Sequence, residues 1–131
     1  MKEKIKCLYV EPNKLPKELE IDNQLEVFQE LVSGDIECVY LQNKDDVVLI
    51  CNEEGKINGM KWNRDIGYDI IAGPFLVVGD DRENGEFKSL TDKQMLDYKI
   101  KFGKESITRT EDKITAIMLE NAIKRNKSYE R

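Results

Sequence analysis

Two loose copies of one acidic pattern are the residues most open to a catalytic interpretation. Asp80-Asp81 is followed by Glu86-Phe87-Lys88, and Asp46 is followed by Glu54-Gly55-Lys56. In magnesium-dependent nucleases two carboxylates hold the metal, and the lysine of a Glu-x-Lys arrangement helps to activate water. Because one short acidic chain matches this pattern twice, the pattern has little specificity. A magnesium nuclease is therefore the lowest-ranked of the functions considered.

The side chains on which most other catalytic mechanisms depend are missing. The chain has no histidine, which excludes Ser-His-Asp and Cys-His pairs and histidine metal sites. Cys7, Cys38 and Cys51 are far apart, form no C-x-x-C, and each falls in a strand-like apolar segment. We predict that they are reduced, buried packing residues. The expectation is a protein that is not an enzyme and holds no cofactor or metal.

Acidic residues cluster where turns are predicted. Three acidic doublets, Asp45-Asp46, Glu53-Glu54 and Asp80-Asp81, lie at the ends of the predicted strands 47–51 and 68–78. If these two strands are antiparallel neighbours, Asp45-Asp46 and Asp80-Asp81 meet at one end of the sheet, and Glu53-Glu54 lies at the other end. Rows of carboxylates can imitate nucleic-acid phosphates and occupy a basic groove in another protein. The alternative is that these turns are acidic only because Asp suits turns and water. The candidate partner-binding residues are Asp45, Asp46, Glu53, Glu54, Asp80, Asp81 and Glu83.

An aromatic and basic loop is the second candidate site. An indole and a guanidinium can stack on a nucleotide or anchor a protein interface. The alternative, that a lone tryptophan in a small protein belongs to the core, stays open. The candidate ligand-binding residues are Trp62, Asn63, Arg64 and Tyr68.

Charge is unevenly distributed along the 131 residues. The net charge is −5, with 19 acidic against 11 basic residues in 1–90 and 7 against 10 in 91–131. An acidic body argues against direct nucleic-acid binding and permits a basic protein partner. The same charge can also serve solubility alone. No apolar run is long enough to cross a bilayer and no signal-peptide pattern opens the chain, so we expect a cytoplasmic protein without membrane contact.

The order of predicted elements indicates an α+β fold, a mostly antiparallel sheet with one N-terminal helix packed on it and two C-terminal helices. The predicted domains are an α+β core, 1–103, and a helical extension, 104–131. The extension packs on the core or on a second subunit, so a homodimer is left open. The predicted strands are 5–10, 36–41, 47–51 (buried on both faces), 56–60, 68–78 with a break at Gly73-Pro74, and 86–88. The predicted helices run from Asp22 or Asn23 to Gly34, from Ser89 or Thr91 to Gly103, and from Thr110 to about 127, with 16–21 irregular and 62–65 a loop.

Several short blocks in a fixed order carry a family resemblance. They are Val10-Glu11-Pro12 with Lys14, Glu20-Ile21-Asp22-Asn23, Leu31-Val32-Ser33-Gly34-Asp35-Ile36-Glu37, the stretch 46–64 with Asn63-Arg64, the stretch 69–73 and the stretch 75–79. With these blocks the chain, over about residues 5–98, resembles an uncharacterised domain family known mainly from phages, plasmids and conjugative elements of Gram-positive bacteria. The family has no established activity, so the resemblance implies a setting and no mechanism. The last helix lies beyond it.

These observations together predict a small non-enzymatic binding or inhibitor protein of a phage or mobile element. Its most concrete form is counter-defence, in which an acidic surface blocks a host nucleic-acid-binding protein with a basic groove. The alternative is a module that binds, and so sequesters, a nucleotide or signal molecule.

Overall fold

The computed structural model describes residues 3–41 and 46–129, without the side chains of 127–129. The fold is α+β, as predicted, and the main sheet is antiparallel throughout. The elements are β1 (Lys4–Val10), β2 (Lys17–Asp22), α1 (Leu25–Val32), β3 (Ile36–Val39), β4 (Val47–Asn52), β5 (Trp62–Asp65), β6 (Ile70–Ala72), β7 (Phe75–Asp81), β8 (Glu86–Lys88), α2 (Asp92–Lys101) and α3 (Lys104–Tyr129).

The main sheet is built around strands β7 and β4, and its order is β2-β1-β7-β4-β3, with β8 also paired to β7. Val77 lies opposite Leu8 on one side and opposite Leu49 on the other. All six residues of β4 are buried, which confirms the prediction of a strand covered on both faces. Its continuous run of apolar residues, with no polar alternation, is the sequence signature of that position.

Each face of the main sheet packs on a different helix. One face places Leu49 and Phe75 against Met95, Tyr98 and Phe102, which come from α2 and its C-terminus. The other face places Val48, Ile50 and Leu76 against Phe28 of α1. Alternate residues of each strand point to opposite faces. The sheet is therefore the middle layer of three.

The ends of α1 differ from the sequence prediction. Asn23 does not cap the helix, because its side-chain amide donates to the Phe87 carbonyl at 2.9 Å and so ties the helix start to β8. Gln24 is the N-cap residue, without a side-chain cap bond. At the other end Ser33, with φ 63°, has the left-handed conformation that ends the helix, one position before the predicted Gly34. Gly34 is needed for space, since a Cβ there would lie 2.7 Å from the Asn52 amide nitrogen.

Strands β5 and β6 form a separate two-stranded sheet. The sequence had predicted a loop at 62–65 and a single long strand at 68–78. Gly73, at φ 84°, turns the chain so that β6 pairs with β5 while Phe75 enters the main sheet. The predicted strand 56–60 is wrong, because residues 53–59 form successive turns. The Asn52 side-chain oxygen starts them by accepting from the Glu54 amide at 2.7 Å.

Two other boundaries were also mispredicted. Residues 17–22 form β2, an edge strand whose Leu19 and Ile21 alternate with exposed residues and pack on the face covered by α1. Helix α3 starts at Lys104, six residues before the expected Thr110. The Thr110 hydroxyl lies inside the helix, where it donates to the Ser106 carbonyl and accepts from the Asp65 amide. The predicted Thr91 start of α2 is confirmed by a full capping box with Gln94.

Within 3–41 and 46–129, no helix is both long and apolar enough to span a bilayer. Of the three cysteines predicted to be buried, Cys7 and Cys51 are buried and Cys38 is exposed. Cys38 lies on β3, which is the last strand of the main sheet.

The two buried thiols predict a specific loss of stability at alkaline pH. Burial raises the pKa of Cys7 and of Cys51 from 9.0 to about 12. The unfolded chain therefore loses these protons first, so the stability they contribute is complete below pH 9 and falls as the pH rises towards 12. We expect the free energy of unfolding to fall by roughly 1 kcal/mol per thiol between about pH 8 and pH 10, measured by urea denaturation.

The control compares variants by the slope of the free energy of unfolding against pH, because other groups also titrate between pH 8 and pH 10. Cys7→Ala with Cys51→Ala should flatten the pH dependence by about the combined amount, whereas Cys38→Ala, at an exposed site, should alter it less. Equal slopes for the wild type and the double variant would contradict the assignment.

Candidate functional site

Arg64, predicted to contact a ligand, lies wholly inside the protein. Its exposed fraction is 0%, and that of its neighbour Asn63 is 3%. Among the described residues no carboxylate forms an ion pair with Arg64. Burial lowers the pKa of its guanidinium to about 10, so the side chain is still charged at neutral pH. Neither residue is placed to stack on a ligand at the surface, and this part of the prediction is corrected.

Backbone carbonyls and one side-chain amide surround the Arg64 guanidinium. Its Nε and Nη2 both donate to the Phe102 carbonyl, at 3.2 and 3.1 Å. Nη2 also donates to the Lys14 carbonyl at 2.6 Å, and Nη1 to the Asn63 Oδ1 at 2.8 Å. Phe102 is the C-cap of α2, where the helix dipole places partial negative charge. Arg64 thus joins the β1–β2 loop, β5 and the end of α2.

Asn63 extends this hydrogen-bond network to β1 and to the turn at Gly73. Its Nδ2 donates to the carbonyls of Val10 and Gly73, each at 2.8 Å. Two carbonyl partners identify this atom as the nitrogen, which leaves Oδ1 to accept from Arg64. The Asn63-Arg64 pair therefore fixes β5 against β1 and against the turn between β6 and β7.

Trp62 and Tyr68, the other two candidate ligand-binding residues, are at the surface. Their exposed fractions are 44% and 53%. Both line a groove of about 480 Å³ against α3, which we call the aromatic groove. The Tyr68 hydroxyl donates to the Tyr40 carbonyl at 2.8 Å and so holds the ring in place. The lining residues are Trp62, Tyr68, Asp69, Ile70, Lys113, Ile114, Ile117, Met118 and Asn121.

One group of the predicted partner-binding acids lies where β4 begins and β7 ends. The two strands are antiparallel neighbours, and the Asp80 amide donates to the Asp46 carbonyl at 2.9 Å. Asp46 and Asp80 therefore meet as predicted, and Asp45 lies outside the described residues. Asp80 is only 8% exposed and forms an ion pair with Arg82, so its charge is largely neutralised.

The neighbouring acids do not assemble into a metal site. Asp80 lies opposite Phe87 and Asp81 opposite Glu86, so the two aspartates point to opposite faces of the sheet. Hydrogen bonds from Asn84 lower the pKa of Asp81, and Glu83 is exposed in the same turn.

The second copy of the nuclease pattern is also divided by the fold. Asp46 and Glu54 lie at opposite ends of β4, roughly 20 Å apart along a strand of this length. Within the part of the chain that is described, no three His, Cys, Asp or Glu side chains are grouped so that they could hold a metal ion.

The other predicted acids, Glu53 and Glu54, border a groove of about 270 Å³. Four carboxylates line it, from Glu37, Glu53, Glu54 and Asp69, and Lys56 is the basic residue of the lining. Lys56 pairs with Asp69, and although burial opposes ionisation of that carboxyl, this bond and the Ile70 amide lower its pKa. The groove also has apolar lining from Val39, Cys51, Ile57, Ile66, Ile70, Ile71 and Ala72. We call it the acidic groove.

Glu37 and Asp69 were not among the candidates drawn from the sequence. Glu37 comes from β3, opposite Cys51, and Asp69 directly precedes β6. Neither belongs to an acidic doublet, and the candidate partner-binding acids were chosen from such doublets. Only the pairing of β3 with β4, together with the approach of the β5-β6 sheet, brings them to one groove.

A family model described as "Domain of unknown function (DUF3846)" matches residues 5–103. No curated protein and no solved structure matches the chain.

Arg64 should be essential for stability. Arg64→Lys keeps the charge but cannot reach the Phe102 and Lys14 carbonyls together with the Asn63 amide, so buried acceptors lose their donors. We expect the free energy of unfolding to fall by about 2–4 kcal/mol. Urea denaturation followed by fluorescence of Trp62, the only tryptophan, measures it.

The matched control is Arg82→Lys, because the Arg82 side chain is 59% exposed and its ion pair with Asp80 survives the change. It should cost less than about 0.5 kcal/mol. An Arg64→Lys protein as stable as the control would contradict the role given to the buried guanidinium.

Proposed function

The chain belongs to the DUF3846 family, and from its geometry we propose that it is a small non-enzymatic binding protein whose acidic groove docks on a basic partner protein. The observation that carries the proposal is the groove itself, where four carboxylates and an apolar lining occur together. Glu37, Glu53 and Glu54 have no ion-pair partner among the described residues.

The mixed lining of the groove suits one kind of side chain. A lysine or arginine has an apolar stem that can pack on Ile57, Ile66 and Ile71, and a cationic head that can reach the carboxylates of Glu37 and Glu54. Aspartate or glutamate from a partner would be repelled. The groove therefore favours a basic segment over an acidic or a purely apolar one.

The overall charge of the chain also favours a basic partner. Residues 1–90 carry an excess of eight negative charges, which would attract a basic partner from a distance. The acids around Asp46 and Asp80 add to this potential, although Arg82 offsets part of it. A protein that exposes a basic nucleic-acid-binding groove has the complementary field.

The setting implied by the family resemblance completes the proposal. We place the chain in a phage or mobile element and its partner in the host cytoplasm, as a nucleic-acid-binding protein that the chain inhibits in counter-defence. The acidic groove would then occupy basic residues that otherwise contact phosphates.

The test is capture from a lysate of a Gram-positive bacterium on the immobilised full chain, with identification by mass spectrometry. We expect a basic nucleic-acid-binding protein that is retained at about 0.05 M salt and released at about 0.5 M, because added salt shortens the range of the attraction. The captured protein should also lose nucleic-acid binding when the chain is added.

Two charge-reversal variants separate the groove from net charge. Glu53→Lys with Glu54→Lys should weaken capture at least tenfold. Glu20→Lys with Glu105→Lys changes the net charge equally at exposed sites outside the groove and should weaken it much less. Equal losses in both variants, salt-insensitive capture, or the absence of any basic protein would reject the proposal.

The aromatic groove supports a second candidate function, binding of a nucleotide or signal molecule. Trp62 and Tyr68 offer two exposed rings, and Lys113 and Asn121 supply polar groups beside the apolar side chains of α3. A planar base can stack on such rings while its polar edge meets the amide.

A nucleotide panel tests this candidate directly. A ligand should quench the fluorescence of Trp62 and raise the melting temperature with increasing concentration. Ile117→Glu, inside the groove, should abolish both effects. Ile100→Glu, the same change at an exposed isoleucine of α2 outside the groove, should not. A panel without quenching or stabilisation would reject nucleotide binding.

A further inference from the structure

Strand β3 is an edge of the main sheet and borders the acidic groove. The strand order ends at β3, which among the described residues pairs only with β4. Two residues of β3, Glu37 and Val39, line the acidic groove. The backbone groups on the outer side of an edge strand can pair with another chain. The outer side of β3 and the acidic groove are therefore neighbouring parts of one surface.

The register of the β3–β4 pair determines which backbone groups of β3 point outwards. The Glu53 amide donates to the Asp35 carbonyl at 2.9 Å, so these two residues are a hydrogen-bonded pair. Such pairs alternate along an antiparallel ladder. The amides and carbonyls of Ile36 and Cys38 therefore face away from β4, while those of the residues between and after them bond to it.

The outward groups of β3 are open to a partner. No hydrogen bond between described residues uses the amide or the carbonyl of Ile36 or Cys38. The Tyr40 carbonyl already accepts from the Tyr68 hydroxyl at 2.8 Å, so the open edge ends before it. Ile36 and Cys38 thus offer an added strand one donor and one acceptor each.

The opposite edge of the sheet, β2, is blocked against such pairing. It carries charges of both signs, and Glu18 pairs with Lys99 of α2 at 2.7 Å. Pro16, directly before β2, has no amide to donate. Charged side chains and proline are common means of preventing unwanted strand pairing. Of the two edges, β3 is the one suited to a partner.

The charge beside β3 selects the kind of chain that can pair with it. Residues 31–41 contain two acids, Asp35 and Glu37, and no base. A second copy of β3 would bring acids next to acids, which is unfavourable across a strand pair. A basic segment would meet charges of opposite sign.

We propose that the basic partner binds as an extended segment that adds an antiparallel strand to β3, with lysine or arginine at alternate positions. This inference rests on the proposed function and specifies how the partner lies beside the acidic groove. The residue opposite Glu37 would have its Cα about 4.5 Å away and its side chain on the groove face. The residues on either side of it would exchange backbone hydrogen bonds with Ile36 and Cys38.

The probe is a peptide of four lysines alternating with three valines, with blocked ends. When the lysines face the acidic groove, the valine amides point at β3 and the lysine amides point away. N-methylation of the three valine amides should therefore weaken binding to the full chain roughly tenfold, measured by calorimetry. N-methylation of three lysine amides is the matched control and should have little effect. Equal effects, or no binding of the unmodified peptide, overturn the proposal.

Hydrogen exchange of the full chain, measured by NMR, locates the added strand. The peptide should slow exchange of the Ile36 and Cys38 amides roughly tenfold, and should change Glu37 and Val39 little because these already bond to β4. Binding without slowing at Ile36 and Cys38 overturns strand addition. The proposed function fails separately, when capture from the lysate does not depend on the acidic groove. Protection of Ile36 and Cys38 in the free chain that is lost on dilution would assign the edge to a second copy and also overturn the proposal.

A proline removes one outward amide from an edge strand and leaves the inner ladder bonds in place. Cys38→Pro should weaken peptide binding roughly tenfold. Glu20→Pro is the matched control on β2, where the Asn23 amide donates to the Glu3 carbonyl and the same alternation turns the Glu20 amide outwards. It should bind the peptide nearly as the wild type does. Urea denaturation checks that both variants fold, and a folded Cys38→Pro protein with wild-type affinity contradicts the proposal. If Cys38→Pro does not fold, the exchange measurement on the wild type decides.

Discussion

A single buried cation organises this fold. Arg64 has lost all contact with water, and its charge is compensated by carbonyl dipoles in place of a carboxylate. Such a charge is tolerated only while its acceptors stay in place, because a lost partner leaves an ion in a medium of low polarity. The β1–β2 loop, β5 and the C-terminus of α2 must therefore take their positions together.

Both candidate binding surfaces depend on this constraint. The β5-β6 sheet forms one wall of the acidic groove through Ile70 and Ile71, and one wall of the aromatic groove through Trp62 and Ile70. Arg64 and Asn63 hold that sheet from inside, while only its outer residues reach the surface. The α2 end that accepts from Arg64 also leads directly into α3. A buried residue thus positions the walls of both grooves.

The sequence predicts the layers of this protein better than its sites. The apolar run of β4 and the capping residues of α2 are local signals, and the structure agrees with them. The burial of Arg64 had no local signal, because most of its acceptors are carbonyls from two distant segments, the β1–β2 loop and the end of α2. Asp80 was predicted to be a partner-binding residue for a similar reason: its covered position arises only from strand pairing, although its ion pair with Arg82 is local in the sequence. The edge strand β2 is a different case: Leu19 and Ile21 alternate with acids, which is a strand signal, yet the segment was predicted to be irregular because of Pro16.

The uneven distribution of charge bears on the proposed function. Negative charges held close together in the body repel one another and destabilise it, so their retention calls for a compensating role. The chain does contain basic residues, but Lys124 and Arg125 lie on the part of α3 that extends past its contacts with β5, where they do not neutralise the acidic groove. The carboxylates of the acidic groove therefore stay available to a basic partner.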